Sequence, residues 1–455
     1  MTLKNNQARL ADIRKLLQTY SYQYHVLDNP TVEDSVYDNL MAELKTLEVK
    51  YPKLITSDSP TQRVGEKPSG GFTSVKHMER MLSLDDVFSD EEAQAWLRRV
   101  AKIDSKVLQA YFWADIKMDG LACAIYYQDG LLDVAVTRGD GITGEDVTHN
   151  VRTIQDVPLR LHESTLSKGR VGIRGEIIMH RTELERINKE RASQGLALYA
   201  NPRNLAAGTI RQLDPKLTAK RKLSFKAFDV FGSDVNFKTH KDIYKTLAEG
   251  GFQVNKQAKQ YASIEDVLAF AHAWQNELTE LPFNTDGLVI KINDRALYKR
   301  LGVVGKNPRG AVAYKYPAEQ ATTIVKDIVL SIGRTGVATP IATFEPVVVA
   351  GSTIQHASLH NADEIERMDV RIGDTVVIYK AGDIIPKVEK VLAELRPKQS
   401  KKFDMEASLK KQYPDLTFVR PDGELAYRIK DASPQMLLKK NFNTMPVRLR
   451  LTSMG

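Results

Sequence analysis

The sequence predicts a multidomain α+β protein, and three observations carry that expectation. With 455 residues the chain has room for about three domains, each large enough to bury its own core. The spacing of its apolar residues changes from about 3.6 near the N-terminus to about 2 beyond residue 107. After Glu319, short β-rich runs alternate with glycine, which is the pattern of a small barrel.

The helical part comes first. Leu10, Ile13, Leu16, Leu17 and Tyr20 share one face at helical spacing, and Val36, Leu40, Leu44 and Leu47 repeat the pattern. Between them the stretch YHVLDNPTVEDS carries an Asn-Pro turn signal, and Ser35 with Asp38 three residues on resembles a helix-start capping pair. Tyr51-Pro52 ends the second helix. The Ser-, Pro- and Gly-rich stretch 56–74 reads as a linker, so a first domain is expected over 1–72.

Strands are expected next at 107–116, 121–127 and 131–137, the last two joined at Gln128-Asp129-Gly130 as a hairpin. A strand at 171–179, helices at 181–193 and 264–278, and a strand at 287–292 complete an α+β block with antiparallel strands over 73–317. Strand-like runs at 325–331, 347–349, 375–379 and 388–392, punctuated by Gly333, Gly336, Gly351, Gly373 and Gly382, predict a β-barrel over 318–395. The remainder, 396–455, has a weak pattern and holds 13 basic against 6 acidic residues, a net +7 within a chain total of +8. Such a tail suits nucleic acid or an acidic membrane surface, and informs on partners rather than on fold.

One cysteine, Cys123, excludes an intrachain disulfide and any cluster of thiolates around zinc or iron–sulfur. It reads as a packed core thiol. No run reaches the roughly 18 apolar residues of a membrane span, and the N-terminus MTLKNNQARLADIRK has no apolar signal core. A soluble, cytoplasmic protein is expected.

Candidate chemistry centres on Asp115-Ile116-Lys117-Met118-Asp119-Gly120, which sets a lysine at a strand end beside two carboxylates and a glycine turn. A nucleophilic lysine must lose its proton, which desolvation or nearby cations promote; a surface lysine beside a turn is the plain alternative. Further charged residues stand next to glycine or at strand ends in TRGDG (137–141), GEDVT (144–148), RGE (174–176), DGLVIK (286–291) and AYKYP (313–317). Cations converging from several strands would neutralise phosphate oxygens, and carboxylates there would bind ribose hydroxyls or Mg²⁺. That suits phosphoryl or nucleotidyl transfer without a P-loop or a G-x-G-x-x-G fingerprint, neither of which is present.

These motifs, with Asn201-Pro202-Arg203-Asn204, Ala206-Ala207-Gly208 and Gly333-Arg334-Thr335-Gly336, occur in an order and spacing that resemble the bacterial NAD-dependent DNA ligases over residues 8–395. The stretches SDSPTQRVG (57–65) and MLSLD (81–85) resemble that family too. The resemblance implies an N-terminal helical module for the nicotinamide mononucleotide half of NAD⁺, a nucleotidyltransferase (adenylation) domain, and an OB-fold. It implies NAD⁺ and Mg²⁺ (or Mn²⁺), with nicked double-stranded DNA as partner, no membrane, and a monomer acting in DNA replication and repair. An ATP-dependent nucleotidyltransferase or ligase, or a non-sealing DNA-binding relic that only self-adenylylates, are the alternatives.

By the same resemblance Lys117 is the nucleophile that carries AMP. Ser83, Leu84, Asp115, Arg138, Glu176, Lys291 and Lys315 line the AMP pocket, with Asp286 as a metal (Mg²⁺) or amine-orienting carboxylate. Tyr24, His25, Asp34, Ser35, Val36, Tyr37 and Asp38 hold the nicotinamide half. Arg203, Arg211 and Arg334 contact DNA. Without the resemblance, Tyr24 and Tyr37 read as core aromatics, Asp34 with Asp38 as a capping pair, and Arg203 and Arg211 as a solvated helix face.

The sequence also departs from the family pattern. Asp115 stands where glutamate is usual, Gly310 where tryptophan is, and Leu278 where a basic residue often is. Residues 403–434 resemble the family's zinc finger in outline but hold no cysteine, and nothing resembles the helix-hairpin-helix or BRCT domains. The expectation is a short form with a degenerate finger and no zinc site; His356 and His360 fall in a strand-and-loop region without the adjacent glutamate of a zinc helix.

Overall fold

The computed structural model describes residues 3–430 apart from 28, 30, 64–70, 163–165, 200, 233–234, 276, 317–319, 334, 350–351, 382–384, 399, 401 and 422–423. Two compact units result, 1–316 and 317–455.

In the first unit, α1 (Leu3–His25) and α2 (Asp34–Lys50) bury Leu10, Ile13, Leu17 and Leu44 between them. Arg9–Glu43 and Arg14–Glu48 bridge the two helices at 2.8 and 2.7 Å. The apolar face is narrower than the sequence predicts: Leu16 and Val36 are exposed. The capping expectation also fails, because α2 starts after Glu33 and no side chain caps it. Much of the expected linker is packed rather than free. Ser59, fully buried, donates to Glu48; Asp58 pairs with Arg160; and the Arg63 guanidinium donates to the carbonyls of Arg152, Ile154 and Val157. The partners of Asp58 and Arg63 lie 89 to 102 residues on, out of reach of a local reading.

Two sheets follow. The first orders Asp86–Val87, Ala311–Tyr314, Thr285–Ile292, Phe112–Met118 and Lys259–Tyr261, antiparallel except where Asp86–Val87 joins in parallel. The second orders Leu131–Thr137, Leu121–Gln128, Arg170–Met179 and Leu223–Gly232, all antiparallel. Asp129 and Gly130 make the hairpin turn with φ of 49° and 77°, the pair of positive values that a two-residue turn of this hand requires. Residues 105–109 form a 3-10 turn capped by Asp104, so the expected strand at 107 starts at Phe112 instead. The helix expected over 264–278 stops at Trp274. The strand Leu223–Gly232, whose charged Lys226 and Asp229 interrupt its apolar pattern, was not anticipated.

The second unit pairs Gln320–Ile332, Val337–Val349, Ser352–Ser358, Thr375–Ala381 and Ile385–Val391 around Val325, Phe344, Ile354, Val376 and Ile378. Its first two strands run 13 residues each, longer than expected, because register shifts at 325/327 and 343/347 let one strand serve two pairings. Residues 403–421 and 424–430 also form structure. The helix Met405–Gln412 packs Met405 and Leu409 on Leu330 and Ala338, and the Tyr427–Ile429 strand extends the sheet beside Val337. Residues 431–455 of the expected basic tail lie outside the described residues.

Candidate active site

The chain crosses from one sheet to the other at Asp119-Gly120, directly after Lys117. A Cβ on Gly120 would stand 2.3 Å from the Ile177 carbonyl oxygen and 2.9 Å from Glu176 Cγ, so only glycine permits this crossing. The pleat places Asp115 and Lys117 on one face of their strand.

On the neighbouring strand the register shifts between Thr285 and Leu288, and Gly287 sits at φ 140° with no room for a Cβ, which would lie 2.1 Å from the Tyr314 carbonyl oxygen. Bulges of this kind re-aim a side chain. Here the bulge carries Asp286, whose two oxygens accept from Lys117 Nζ at 2.7 and 2.8 Å. Lys315 Nζ stands 3.7 Å from the same carboxylate and 2.8 Å from Asp86. Burial lowers the Lys315 pKa, but Asp86 and Asp286 outweigh it and leave the ammonium raised above its ordinary value.

From the second sheet comes Glu176. Burial pushes its carboxyl up to about 8, against the pull of Lys117 and Arg203, so near neutrality it holds a proton that it can donate. Lys291 is more isolated. Its ammonium lies over the Phe228 ring, 5.5 Å from the centroid, with no hydrogen bond or ion pair among the described residues. Burial lowers its pKa, and the fields of Asp229 and Asp115 only partly oppose that. Arg138 donates to the Ser83 hydroxyl, while its Nε is buried without a partner among the described residues. The Ser83 backbone N–H donates to Lys306, and Leu84 beside it is half-buried. A buried ammonium with no ion pair and a guanidinium N–H with no partner among the described residues are each what an anionic ligand would satisfy.

Asp115 sits apart from this opening. It is buried, accepts from the Tyr244 hydroxyl and Asn255 Nδ2, and is raised by desolvation. Arg203 pairs with Asp119 at 2.6 Å and Arg211 with Glu145 at 2.7 Å, both arginines about half exposed. Arg334 lies outside the described residues. Cys123 is fully buried, and burial raises its thiol pKa, which leaves it inert.

The α1–α2 residues are not brought to Lys117. Tyr24 is 52% exposed and meets His25 edge-on at 4.8 Å. Ser35, Val36 and Asp38 are exposed, Tyr37 is half-buried against the helical core, and the side chain of Asp34 lies outside the described set. Burial, then Arg63 and Lys222, lowers His25 to about 4.

Sequence reasoning missed Phe228, Asp229, Tyr244, Asn255 and Asp86. A period-2 reading of SFKAFDVF (224–231), with two charges in an apolar run, could have found the first two. Nothing local marks the others. Among the described residues no three His, Cys, Asp or Glu gather as a metal-binding group, and no helix is long and apolar enough to cross a membrane.

The profile of the NAD-dependent DNA ligase adenylation domain matches residues 69–319, that of the NAD-dependent DNA ligase OB-fold domain 322–400, and that of the DNA ligase-like, N-terminal NAD⁺-binding domain 3–65. A DNA ligase of Thermomicrobium roseum is 47% identical over 403 residues, covering 88% of this chain and 58% of its own length. One from Koribacter versatilis is 43% identical over 446 residues, covering 96% and 66%. This chain thus spans about three fifths to two thirds of these relatives. Among solved structures, the ATP-dependent DNA ligase of bacteriophage T7 aligns at 16% identity and a TM-score of 0.29, over 68% of this chain and 97% of that one.

Proposed function

The chain belongs to the NAD-dependent DNA ligase family, and from that premise we propose that it seals nicks in duplex DNA at the expense of NAD⁺ through an AMP adduct on Lys117. The observation that carries this reading is the Lys117–Asp286 pair at the crossing between two sheets, with Lys315 beside it, Lys291 over the Phe228 ring and Glu176 buried on the facing sheet, its carboxyl pushed up to about 8 by burial.

Asp286 holds the Lys117 amine in one orientation and accepts its proton as the nitrogen bonds to the α-phosphorus of NAD⁺; the phosphoanhydride bond breaks and nicotinamide mononucleotide leaves. Lys291, Lys315 and Arg138 neutralise the phosphate oxygens as charge grows on them. Glu176 donates to a ribose hydroxyl, and Ser83 and Leu84 flank the nucleoside. Asp115, turned toward Tyr244 and Asn255, acts as a buried counter-charge for Lys291 in this reading. AMP then passes to the 5′-phosphate of a nick, and the 3′-hydroxyl attacks that phosphate and expels AMP. Arg203, Arg211 and Arg334 contact the DNA, the first two exchanging Asp119 and Glu145 for phosphate.

Both oxygens of Asp286 are committed to Lys117, which favours its amine-orienting role over a metal role. Mg²⁺ would be held by phosphate oxygens and water with at most one carboxylate from this region, consistent with its octahedral demand. It would supply further charge neutralisation. Tyr24, His25, Asp34, Ser35, Val36, Tyr37 and Asp38 take the nicotinamide half, where carboxylates and ring faces favour its positive charge.

The test is a gel assay with NAD⁺ labelled in its adenylate phosphate, Mg²⁺ and a nicked duplex. NAD⁺ should label the chain and then seal the nick; labelling from ATP alone, or none from NAD⁺, overturns the reading.

A further inference from the structure

Ser83 and Leu84 belong to a stretch, residues 77–85, that runs between the strands Ser74–Lys76 and Asp86–Val87 without helix or strand of its own. Its backbone groups therefore need partners from elsewhere in the fold. The N–H groups of His77, Met81 and Ser83 donate to the carbonyls of Ile142, Gly141 and Lys306, each at 2.9 Å. The His77 ring bridges the Tyr126 hydroxyl and the Thr137 carbonyl at 2.9 and 3.1 Å. Met81 packs with Ala124, Tyr126, Val136 and Phe231 on one face of the second sheet.

Between these anchors the stretch is held by Arg174, the RGE arginine that takes no part in the chemistry at Lys117. On the sheet Arg174 stands opposite Asp229, and Gly172 opposite Phe231. A Cβ on Gly172 would lie 2.3 Å from the Phe231 ring, so glycine leaves that ring its place. The Arg174 guanidinium lies over the ring, 4.2 Å from the centroid. Its Nη1 donates to Asp229 at 3.3 Å, and its Nη2 donates to the carbonyls of Glu79 and Arg80 at 3.3 and 3.2 Å. Both terminal nitrogens are thus committed to protein, and Nε is buried. Arg80 in turn donates to the Gly305 carbonyl at 2.9 Å, next to the Lys306 carbonyl that holds Ser83.

We propose that Arg174 is a positioning residue for the nucleoside: by holding two successive carbonyls of the 77–85 stretch on the second sheet, it fixes Ser83 and Leu84 where the adenosine half of the substrate binds. The inference rests on the AMP pocket proposed above and adds to it a residue that does not touch the ligand. Donors on a charged group hold a carbonyl more firmly than neutral ones, and the Phe231 face with Asp229 fixes the guanidinium plane from which they point. Lysine at this position keeps a charged donor but loses the fork.

The experiment is equilibrium dialysis of the full chain with adenosine and with AMP, joined to hydrogen exchange read by peptide. Arg174→Met, which keeps an unbranched stem and donates nothing, should weaken adenosine and AMP equally, by about tenfold. Exchange over 77–85 should quicken by about tenfold or more in that variant, with exchange over 171–177 unchanged. Arg174→Lys should bring both affinities back to within about threefold of the unsubstituted chain. In adduct formation Arg174→Met should raise the KM for NAD⁺ about tenfold and change kcat less than about threefold. A loss confined to AMP would make Arg174 a direct phosphate ligand. Equal loss in both variants, or faster exchange over 171–177 as well, would make its role support of the fold alone. Either result, or unchanged affinity in Arg174→Met, overturns the inference and leaves the AMP pocket standing; an unsubstituted chain that binds no adenosine overturns both.

Discussion

The Lys117 cluster and the α1–α2 residues are the two proposed halves of one NAD⁺ site, and they are built in opposite ways. The first is assembled in advance: Lys117, Asp286 and Lys315 form a chain of ion pairs, and their strands are fixed by two sheets. The second is a set of exposed side chains on a two-helix module, with Tyr24 half open to solvent and Asp38 exposed. Chemistry that forms and breaks bonds at phosphorus needs groups held to within a fraction of an ångström, which rigid strands supply. Recognition of a leaving group tolerates a surface that meets it on binding.

The comparison can be broken most sharply at Lys117. Lys117→Ala should abolish labelling from NAD⁺, while the fold, read by circular dichroism, persists; a label that survives places the nucleophile elsewhere. Asp286→Asn should slow adduct formation by roughly 10²-fold through loss of amine orientation, with rapid-quench kinetics as the measurement. An unchanged rate would mean that the pair is only structural.

On the helical side, Tyr24→Ala and Asp38→Ala should raise the KM for NAD⁺ about tenfold, yet leave joining of a pre-adenylylated nick unchanged. Because both side chains are exposed, stability should move by less than ~0.5 kcal/mol. Equal loss in both assays would remove the nicotinamide role from these residues.

Glu176 gives the cluster a pH signature that the helices lack. Its folded pKa near 8 exceeds the unfolded carboxylate value, so the folded state binds the extra proton. Its contribution to stability is therefore full below about pH 4.5 and is lost as pH rises toward and through 8, by up to ~1.4 kcal/mol per pH unit. Glu176→Gln should flatten that decline in urea midpoints measured between pH 6 and 9; parallel curves would show the carboxyl to be ionised throughout. The smallest expected effect is Ser35→Ala, below ~0.5 kcal/mol by thermal unfolding, because α2 has no side-chain cap to lose.

What could be read in advance follows from distance along the chain. The Asp129-Gly130 turn, the 131–137 strand and the 181–193 helix are coded by neighbours, and the structure places them where their pattern does. The bonds of Arg63 to residues 152–157, of Tyr244 and Asn255 to Asp115, and of Lys315 to Asp86 cross 80 to 230 positions, and no local period announces them. The cap expected at Ser35 fails for a related reason: Ser35 and Asp38 have the right types three apart, but the helix begins at Asp34 with Glu33 in the cap position, two residues earlier.

The sequence by itself determined the family, the α+β class and the order of the motifs, because each is written in residues close enough to form one turn or one strand. Only the tertiary structure decided which charges meet. Sheet register and a glycine bulge set Asp286 on the Lys117 amine, close packing left Lys291 over the Phe228 ring with Asp229 and Asp115 only partly offsetting its burial, and burial raised Glu176 to about 8. The physical reason is that desolvation and ion pairing depend on what surrounds a group in space, and that environment is assembled from segments the sequence keeps far apart.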